Sequence, residues 1–309
     1  MTIHCVTPNP ALDVTYRVTA LEVHATNRVS DVTERPGGKG VNVARVLAQR
    51  GADVAVYGFL GGRTGARLAE LLAELAPGIA QRWTEVAGET RRTVAVVDAS
   101  DTTMFNEAGA PVADDDWDRL VADVAARCRP GDVVTVSGSL PAGSAPEQLA
   151  RLVTAARRAG AVVVADTSGP ALIAAARAGA DVLKPNLHEL LDATGERSVP
   201  VAVAALRASG AGAVVVSRGE EGLLLGLDGR TVQARLGRVL QGNPTGAGDA
   251  LVAALASALA APGGPSARLV GALPHAVAWS AAAVLSPVAG EVDESTVAAL
   301  LQEVEVKES

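Results

Sequence analysis

Short apolar runs recur along this chain, and segments with helical spacing lie between them. Most of the runs are apolar throughout, which is typical of strands covered on both faces. The predicted strands are Ile3–Thr7, Val54–Phe59, Val94–Asp98, Val133–Ser137, Val162–Asp166, Val182–Lys184, Ala213–Ser217 and Leu223–Leu227. The predicted helices are Val41–Arg50, Ala66–Ala76, Asp115–Arg127, Pro146–Ala159, Pro170–Ala178, Val201–Ala208, Asp249–Ala260, Ala267–Leu285 and Ser295–Glu303. This alternation predicts an α/β fold with a mostly parallel sheet and helices on both of its faces.

Two more polar stretches, Leu12–Pro36 and Thr90–Pro111, interrupt the alternation. The second stretch contains two short β-prone runs, Thr93–Val97 and Thr102–Phe105, which predict a hairpin. We expect both stretches to build a small separate sheet, and a sheet of this kind over a cleft would act as a lid. Ordinary surface hairpins are the alternative interpretation.

The charge and composition of the chain exclude several classes of protein. Its 309 residues include 34 acidic and 27 basic side chains, a net charge of −7, with no basic run to bind nucleic acid. Every long apolar stretch has polar interruptions, so we expect no membrane span. We also expect no signal peptide, because Met1 leads directly into a strand-like run without a basic segment. The two cysteines favour a reducing cytoplasm.

The tetrapeptide Gly246-Ala247-Gly248-Asp249 directly precedes an apolar helical run. Glycines allow a tight turn into a helix whose first N–H groups lack internal partners, and these groups attract negative charge. Asp249 would repel an anion unless it faces an attacking hydroxyl, whose proton it could accept during phosphoryl transfer. The alternative is a glycine-rich turn with an aspartate that suits the first helical turn.

A second glycine-rich segment, Gly37-Gly38-Lys39-Gly40, stands before the helix that contains Asn42. It lacks the spacing of a P-loop, and the chain has no G-x-G-x-x-G between a strand and a helix. Exposed amides beside a lysine and an asparagine would suit a polyol or a sugar phosphate. A flexible turn is the alternative.

Two further segments are ambiguous. Asn186 and Glu189 lie three residues apart and could hold Mg²⁺ through water, but the same pattern also predicts a helix capping box. The segment from Ser217 to Gly222 joins two predicted strands, and Gly219 and Gly222 could admit a nucleotide phosphate. A simple hairpin turn would need the same glycines.

Taken in order, these motifs resemble the ribokinase-like (PfkB-type) carbohydrate kinases. The motifs are Asn9-Pro10-Ala11-Leu12-Asp13, Gly37-Gly38-Lys39-Gly40, Thr90-Arg91, Ser137-Gly138-Ser139-Leu140-Pro141, Lys184-Pro185-Asn186 with Glu189, and Gly246-Ala247-Gly248-Asp249. Within that family, they most resemble the 1-phosphofructokinase and tagatose-6-phosphate kinase branch. The resemblance implies a single three-layer α/β/α kinase domain over residues 1–309, with a lid from about 12–36 and 90–111. It also implies ATP, Mg²⁺ and a homodimer that pairs through the lid sheet.

The resemblance assigns a role to each motif. Asp249 would be the general base, and Gly246, Ala247 and Gly248 would form an anion hole. The residues expected at the substrate are Asp13, Arg28, Gly37, Gly38, Lys39, Asn42, Arg91 and Ser139. The residues expected at ATP are Lys184, Asn186, Ser217, Gly219, Gly222, Gly246 and Gly248. Asn186 and Glu189 would position Mg²⁺ through water.

The implied reaction is ATP-dependent phosphorylation of a ketohexose phosphate, with fructose 1-phosphate converted to fructose 1,6-bisphosphate. The alternatives are a tagatose-6-phosphate or fructose-6-phosphate kinase, a kinase of an unphosphorylated sugar or nucleoside, and a non-catalytic sugar-binding regulator. The chain departs from the family at Asn243 and Pro244, where a carboxylate that serves monovalent cations is missing. It also has Thr93 where an asparagine is common.

Overall fold

The computed structural model of the chain describes residues 1–227, 229–286 and 288–308. The strands are β1 (Ile3–Thr7), β2 (Ala11–Arg17), β3 (Asp31–Gly37), β4 (Val54–Leu60), β5 (Ala80–Glu85), β6 (Arg91–Val97), β7 (Thr102–Asn106), β8 (Val133–Ser137), β9 (Val162–Asp166), β10 (Val182–Leu183), β11 (Ala213–Ser217), β12 (Leu223–Leu227), β13 (Arg230–Leu236) and β14 (Val304–Glu308). The helices are α1 (Lys39–Gln49), α2 (Gly62–Leu75), α3 (Asp114–Arg127), α4 (Pro146–Arg158), α5 (Gly169–Arg177), α6 (Leu187–Thr194), α7 (Val199–Ala208), α8 (Ala247–Leu259), α9 (Pro265–Leu285) and α10 (Glu294–Leu301).

A large central sheet has the strand order β14-β13-β12-β11-β10-β9-β8-β1-β4-β5 across the described residues. The neighbouring strands β11, β10, β9, β8, β1, β4 and β5 pair in parallel. At the other edge, β12, β13 and β14 pair antiparallel. One apolar core packs α1, α8, α9 and α10 on one face, and a second packs α3, α4, α5 and α7 on the other. The predicted α/β class, with a mostly parallel sheet between two helix layers, is therefore confirmed.

A second, smaller sheet has the strand order β3-β2-β6-β7. Both stretches that were predicted to leave the main alternation contribute to it, and β6 and β7 form the expected hairpin. Leu12 and Val14 of β2 pack against Leu71 of α2, which attaches this sheet to the main body. We call it the lid sheet. Its outer strand β7 is exposed along its whole length.

The sequence analysis missed three strands, β5, β13 and β14. It gave no range for the short helix α6, although it included a helix capping box at Asn186 as one of two interpretations. The missed strands are more polar than the central strands, and each lies beside an edge of the sheet or forms it, so their burial patterns are mixed. Apolar periodicity is weak in such strands because one or both of their faces meet water. Helix α6 has eight residues, which is too short for a clear helical period.

Helix α9 is the segment that bears on the expectation that the chain has no membrane span. Its 21 residues are long and apolar enough to cross a membrane by length and composition alone, and 50% of its apolar stretch is buried inside the protein. The buried part packs against α8 and α10 within the larger core. A core helix covered on several sides needs this composition.

Two helical glycines give a test of how closely α1 packs on the sheet. A Cβ at Gly40 would meet the Thr7 hydroxyl and would lie 2.8 Å from the Val6 carbonyl oxygen, whereas a Cβ at Gly271 in α9 would meet open space. We expect Gly40→Ala to lower the free energy of unfolding by about 1–3 kcal/mol. Gly271→Ala should raise it by about 0.5–1 kcal/mol through helix propensity. Urea unfolding measures both changes, and equal stabilities would refute the close packing.

Candidate active site

Four neighbouring parallel strands each have a polar residue at their carboxyl end. In three of them it is the last residue of the strand, and in the fourth it is the next residue. Thr7 ends β1, Ser137 ends β8, Asp166 ends β9 and Lys184 follows β10. The strand registers align these four residues across one face of the sheet, the face that α1 and α8 cover. Ligands of open α/β sheets bind at the carboxyl ends of the strands. This edge is therefore the candidate active site.

Asp249 lies at the centre of this edge, in the first turn of α8. Its side chain is buried, and Oδ2 accepts a hydrogen bond of 2.8 Å from Nδ2 of Asn42. Burial, together with the negative charge of Asp166, raises the pKa of Asp249 to about 6, although Asn42 and the two lysines oppose the shift. A buried carboxyl that ionises near pH 6 is well suited to accept a proton at neutral pH.

The start of α8 is built to face an anion. Gly246 caps the helix in the left-handed conformation, with φ of 86°, and Ala289 packs against it where a side chain would stand. The Ala247 amide donates to the Pro244 carbonyl at 3.2 Å, so the amides of Gly248 and Asp249 are the first-turn donors that point out of the helix. These two N–H groups and the positive helix end attract negative charge.

Glu291 braces the loop behind Gly246. Arg45 of α1 donates to the Ala289 carbonyl at 3.0 Å and to Glu291 at 2.8 Å. Arg35 of the lid strand β3 donates to the same oxygen of Glu291, also at 2.8 Å. One carboxylate thus ties together the lid sheet, α1 and the loop that packs behind Gly246.

Asp166 is the site residue that the sequence analysis missed. Its carboxylate is 1% exposed, and Oδ1 lies 3.3 Å from the ammonium groups of both Lys39 and Lys184. Burial alone would lower the pKa of Lys39, but the charges of Asp166, Glu189 and Asp249 together raise it. A charged residue closing an otherwise apolar strand was the available signal.

The lid side of the site brings together most of the predicted substrate residues. Burial raises the pKa of Asp13 to about 6, and the Asp13 carboxylate fills the space that a side chain at Gly37 would need. Arg91 donates to the Asn9 carbonyl at 3.1 Å and to the Thr93 hydroxyl at 3.3 Å. The Asn9 side chain donates to the Ala108 carbonyl at 3.0 Å, which ties this segment to the residues after β7.

Gly38 has φ of 101°, and a Cβ added there would lie 3.0 Å from the Cα of Pro10. Glycine is therefore required at this position. Ser139 accepts a hydrogen bond of 3.2 Å from Asn9, which places it at the same edge.

Arg28 is different, because it lies exposed in the connection between β2 and β3, beyond the paired residues Arg17 and Asp31. The fold of one chain does not bring Arg28 to the other substrate residues.

Asn186 and Glu189 form the capping box that was the alternative to a metal role. Asn186 Oδ1 accepts from the Glu189 amide, and Glu189 Oε2 accepts from the Asn186 amide, both at 2.8 Å. No cluster of three or more His, Cys, Asp or Glu that could hold a metal occurs within residues 1–227, 229–286 and 288–308. Mg²⁺ usually keeps several of its waters, so Asn186 and Glu189 could hold it through water while they cap α6.

The segment from Ser217 to Gly222 also combines its two interpretations. Ser217 pairs with Asn186 in an isolated bridge, which places both at the strand ends beside Lys184. Gly219 is left-handed with open space around it, whereas Gly222 lies against the backbone of Ala234. Gly222 is therefore explained by packing on β13, and Gly219 faces free space.

Comparisons with known proteins agree with this geometry. Residues 8–296 match the model of the family described as "pfkB family carbohydrate kinase". A 1-phosphofructokinase of Xanthomonas campestris is 39% identical, over 82% of this chain and 83% of its own length. One from Rhodobacter capsulatus is 40% identical, over 82% of both chains. The structure of phosphofructokinase-2 from Escherichia coli with fructose-6-phosphate superposes with a TM-score of 0.87 at 29% identity, over 97% of this chain and 98% of that one.

Asp249 should reduce the stability of the protein at neutral pH. Its pKa is about 6 in the folded chain and near 3.8 when unfolded, so its ionisation lowers stability as the pH rises between these values. We expect Asp249→Asn to raise the free energy of unfolding by roughly 2–3 kcal/mol at pH 7.5 and by less at pH 5. Urea unfolding at the two pH values measures this difference.

Asp293, which caps α10, provides a control of opposite sign. Hydrogen bonds from Ser295 and Thr296 lower its pKa to about 2, so its charged form stabilises the fold above pH 4. Asp293→Asn should therefore lose stability at pH 7.5. An Asp249→Asn protein that is less stable than the original chain at pH 7.5 would contradict the burial of an ionised Asp249.

Proposed function

This chain belongs to the pfkB family of carbohydrate kinases, and we propose that it phosphorylates fructose 1-phosphate with ATP to give fructose 1,6-bisphosphate. The two relatives named 1-phosphofructokinase, at 39% and 40% identity, support this substrate. The observation that carries the proposal is the buried Asp249 beside the free amides of α8 and the pair of lysines. This arrangement is what transfer of a phosphoryl group to a hydroxyl requires.

In the proposed reaction, Asp249 accepts the proton of the primary hydroxyl as that oxygen attacks the terminal phosphorus of ATP. The amides of Gly248 and Asp249 hold the charge on the moving phosphoryl group. Asn42 orients the Asp249 carboxylate through its 2.8 Å hydrogen bond. The lid sheet, attached through α2, excludes water that would otherwise hydrolyse ATP.

On the substrate side, Asp13 is placed to bind sugar hydroxyls and Arg91 to bind the phosphate already on the sugar. The guanidinium of Arg91 is partly buried beside Asp13, so a phosphate there would form charge-assisted hydrogen bonds. The similarity to a phosphofructokinase-2 complex with fructose-6-phosphate supports that sugar as a second candidate. The two sugars differ in which end carries the phosphate.

On the nucleotide side, Lys184, Asn186, Ser217 and Gly219 line the strand ends where ATP would lie. Bound Mg²⁺ would neutralise phosphate charge, and Asn186 and Glu189 would hold it through water. Glu189 also contributes to the field at Lys39, which connects this corner to the centre of the site.

We further propose a homodimer formed through the lid sheet. Arg28 is exposed at the outer end of the lid, and Met104 and Phe105 of β7 are 46% and 56% exposed. A second lid would cover this apolar surface and would give Arg28 a route to a substrate bound by the partner.

Buried free thiols at Cys5 and Cys128 support a reducing cytoplasm as the place of action.

The substrate is tested by ADP release with fructose 1-phosphate, fructose 6-phosphate, tagatose 6-phosphate and fructose, each with and without Mg²⁺. We expect kcat/KM to be highest for fructose 1-phosphate by at least about tenfold, because the phosphate anchor fixes which hydroxyl reaches Asp249. Preference for fructose 6-phosphate would favour the second candidate. A lack of turnover with every sugar would support a non-catalytic regulator instead.

The role of Asp249 is tested by kinetics over a range of pH. We expect Asp249→Ala and Asp249→Asn to lower kcat by about 10²–10⁴-fold, with KM nearly unchanged, because the base acts only as the hydroxyl attacks. The pKa values of Asp13 and Asp249 are both about 6, so kcat/KM should fall steeply below pH 6. Asp13→Asn should leave a shallower fall that involves one proton. Substantial turnover without Asp249 would remove the base assignment.

A further inference from the structure

Asp166 has no part in the proposed reaction, and its charge is of the wrong sign for a site that binds phosphates. The carboxylate is nevertheless 1% exposed, and its Oδ2 atom has no hydrogen-bond partner in the structure. An ionised group buried in this way is costly unless opposite charges compensate it. The compensation comes from the two ammonium groups that share Oδ1, both at 3.3 Å.

The two lysines reach Asp166 from different elements. Lys39 is the first residue of α1, and its side chain is 41% exposed. Lys184 follows β10, and its ammonium group lies 3.5 Å from the position of a Cβ on Gly248, which faces the first turn of α8. A lysine side chain is flexible, and two ammonium groups repel each other. Without a carboxylate between them, Lys39 would turn towards solvent.

We propose that Asp166 is a positioning residue that holds Lys39 and Lys184 side by side against the start of α8, where their positive charges stabilise the phosphoryl group as it moves from ATP to the sugar hydroxyl. This inference rests on the proposed function. The triad carries a net charge of +1, so it still attracts phosphate after Asp166 is counted. Strand β9 fixes the carboxylate, because Ser137 pairs with Asp166 and the Lys184 amide donates to the Ala165 carbonyl at 2.9 Å.

Asp166 also acts on the proposed base through its charge. The groups that face Asp249 are Asp13 from the lid sheet, Lys39 and Asn42 from α1, Asp166 from β9 and Lys184 after β10. After burial, Asp166 is the strongest influence that raises the pKa of Asp249. Loss of this charge should therefore make Asp249 ionise at a lower pH.

The test compares Asp166→Asn and Asp166→Glu with a matched control, Asp132→Asn. Asp132 is also a buried carboxylate, but it directly precedes β8 and contacts His4. It therefore lies at the end of β8 that is opposite to the candidate site. We expect Asp166→Asn to lower kcat by about 10- to 100-fold, because the lysines lose their placement. It should also move the acid limb of the pH–rate profile to lower pH. Asp132→Asn should reduce stability and leave kcat and that limb unchanged.

Asp166→Glu separates charge from placement. Glutamate keeps the negative charge but moves the carboxylate along a longer side chain, so kcat should fall while the acid limb stays near its original pH. This variant also serves if Asp166→Asn does not fold. The ligand-free proteins provide a second measurement, since the fall in thermal stability between pH 4 and 6 should be smaller in Asp166→Asn.

Two results would overturn the proposal. One is a folded Asp166→Asn protein with kcat within about twofold of the original chain, which would show that the lysines need no anchor. The other is an unmoved acid limb, with Asp166→Asn behaving like Asp132→Asn, which would leave only a structural role. Failure of the unmodified protein to phosphorylate any sugar phosphate would instead refute the proposed function, so the two failures are distinguishable.

Discussion

The candidate site depends on how two buried carboxylates are paired with positive and polar side chains at the carboxyl edge of the parallel sheet. Asp166 and Asp249 are both buried, and two lysines and an asparagine compensate them. Neither carboxylate would be tolerated there without these partners, because burial penalises the charged form. The surrounding elements supply the partners: α1 brings Lys39 and Asn42, and the strand end beside β9 brings Lys184. The apolar cores on both faces of the sheet keep these elements in place.

This arrangement reconciles the acidic chain with two anionic substrates. The net charge of −7 repels ATP and a sugar phosphate at long range, so attraction must come from groups within the site. Of the 27 basic residues only three are lysines, Lys39, Lys184 and Lys307, and two of them contact one buried carboxylate. Salt in solution weakly screens charges that are enclosed in this way, so binding depends on their local geometry more than on the overall charge.

The sequence predicted the central strands well, because Val133–Ser137 or Ala213–Ser217 are continuous apolar runs that only a covered strand explains. It also placed Asp249 and its glycines at a helix start. The signal for Asp166 was weak, since a single aspartate after an apolar run is common. Its meaning depends on Lys39 and Lys184, which lie elsewhere in the chain. The capping box at Asn186 shows the converse limit, because one local pattern serves both a helix end and a candidate ligand. Edge strands such as β14 were missed, since their faces meet water.

The hydrogen bond between Asn42 and Asp249 joins residues that are 207 positions apart, and the loop held by Arg45 and Glu291 comes later still. During synthesis, the lid sheet and α1 therefore leave the ribosome long before α8 and the loop behind Gly246. A partly made chain therefore lacks Asp249 and the start of α8, on which the proposed reaction depends. Under the proposed mechanism, the chain becomes active only after α8 and the loop at Ala289 have packed against α1 and the lid sheet.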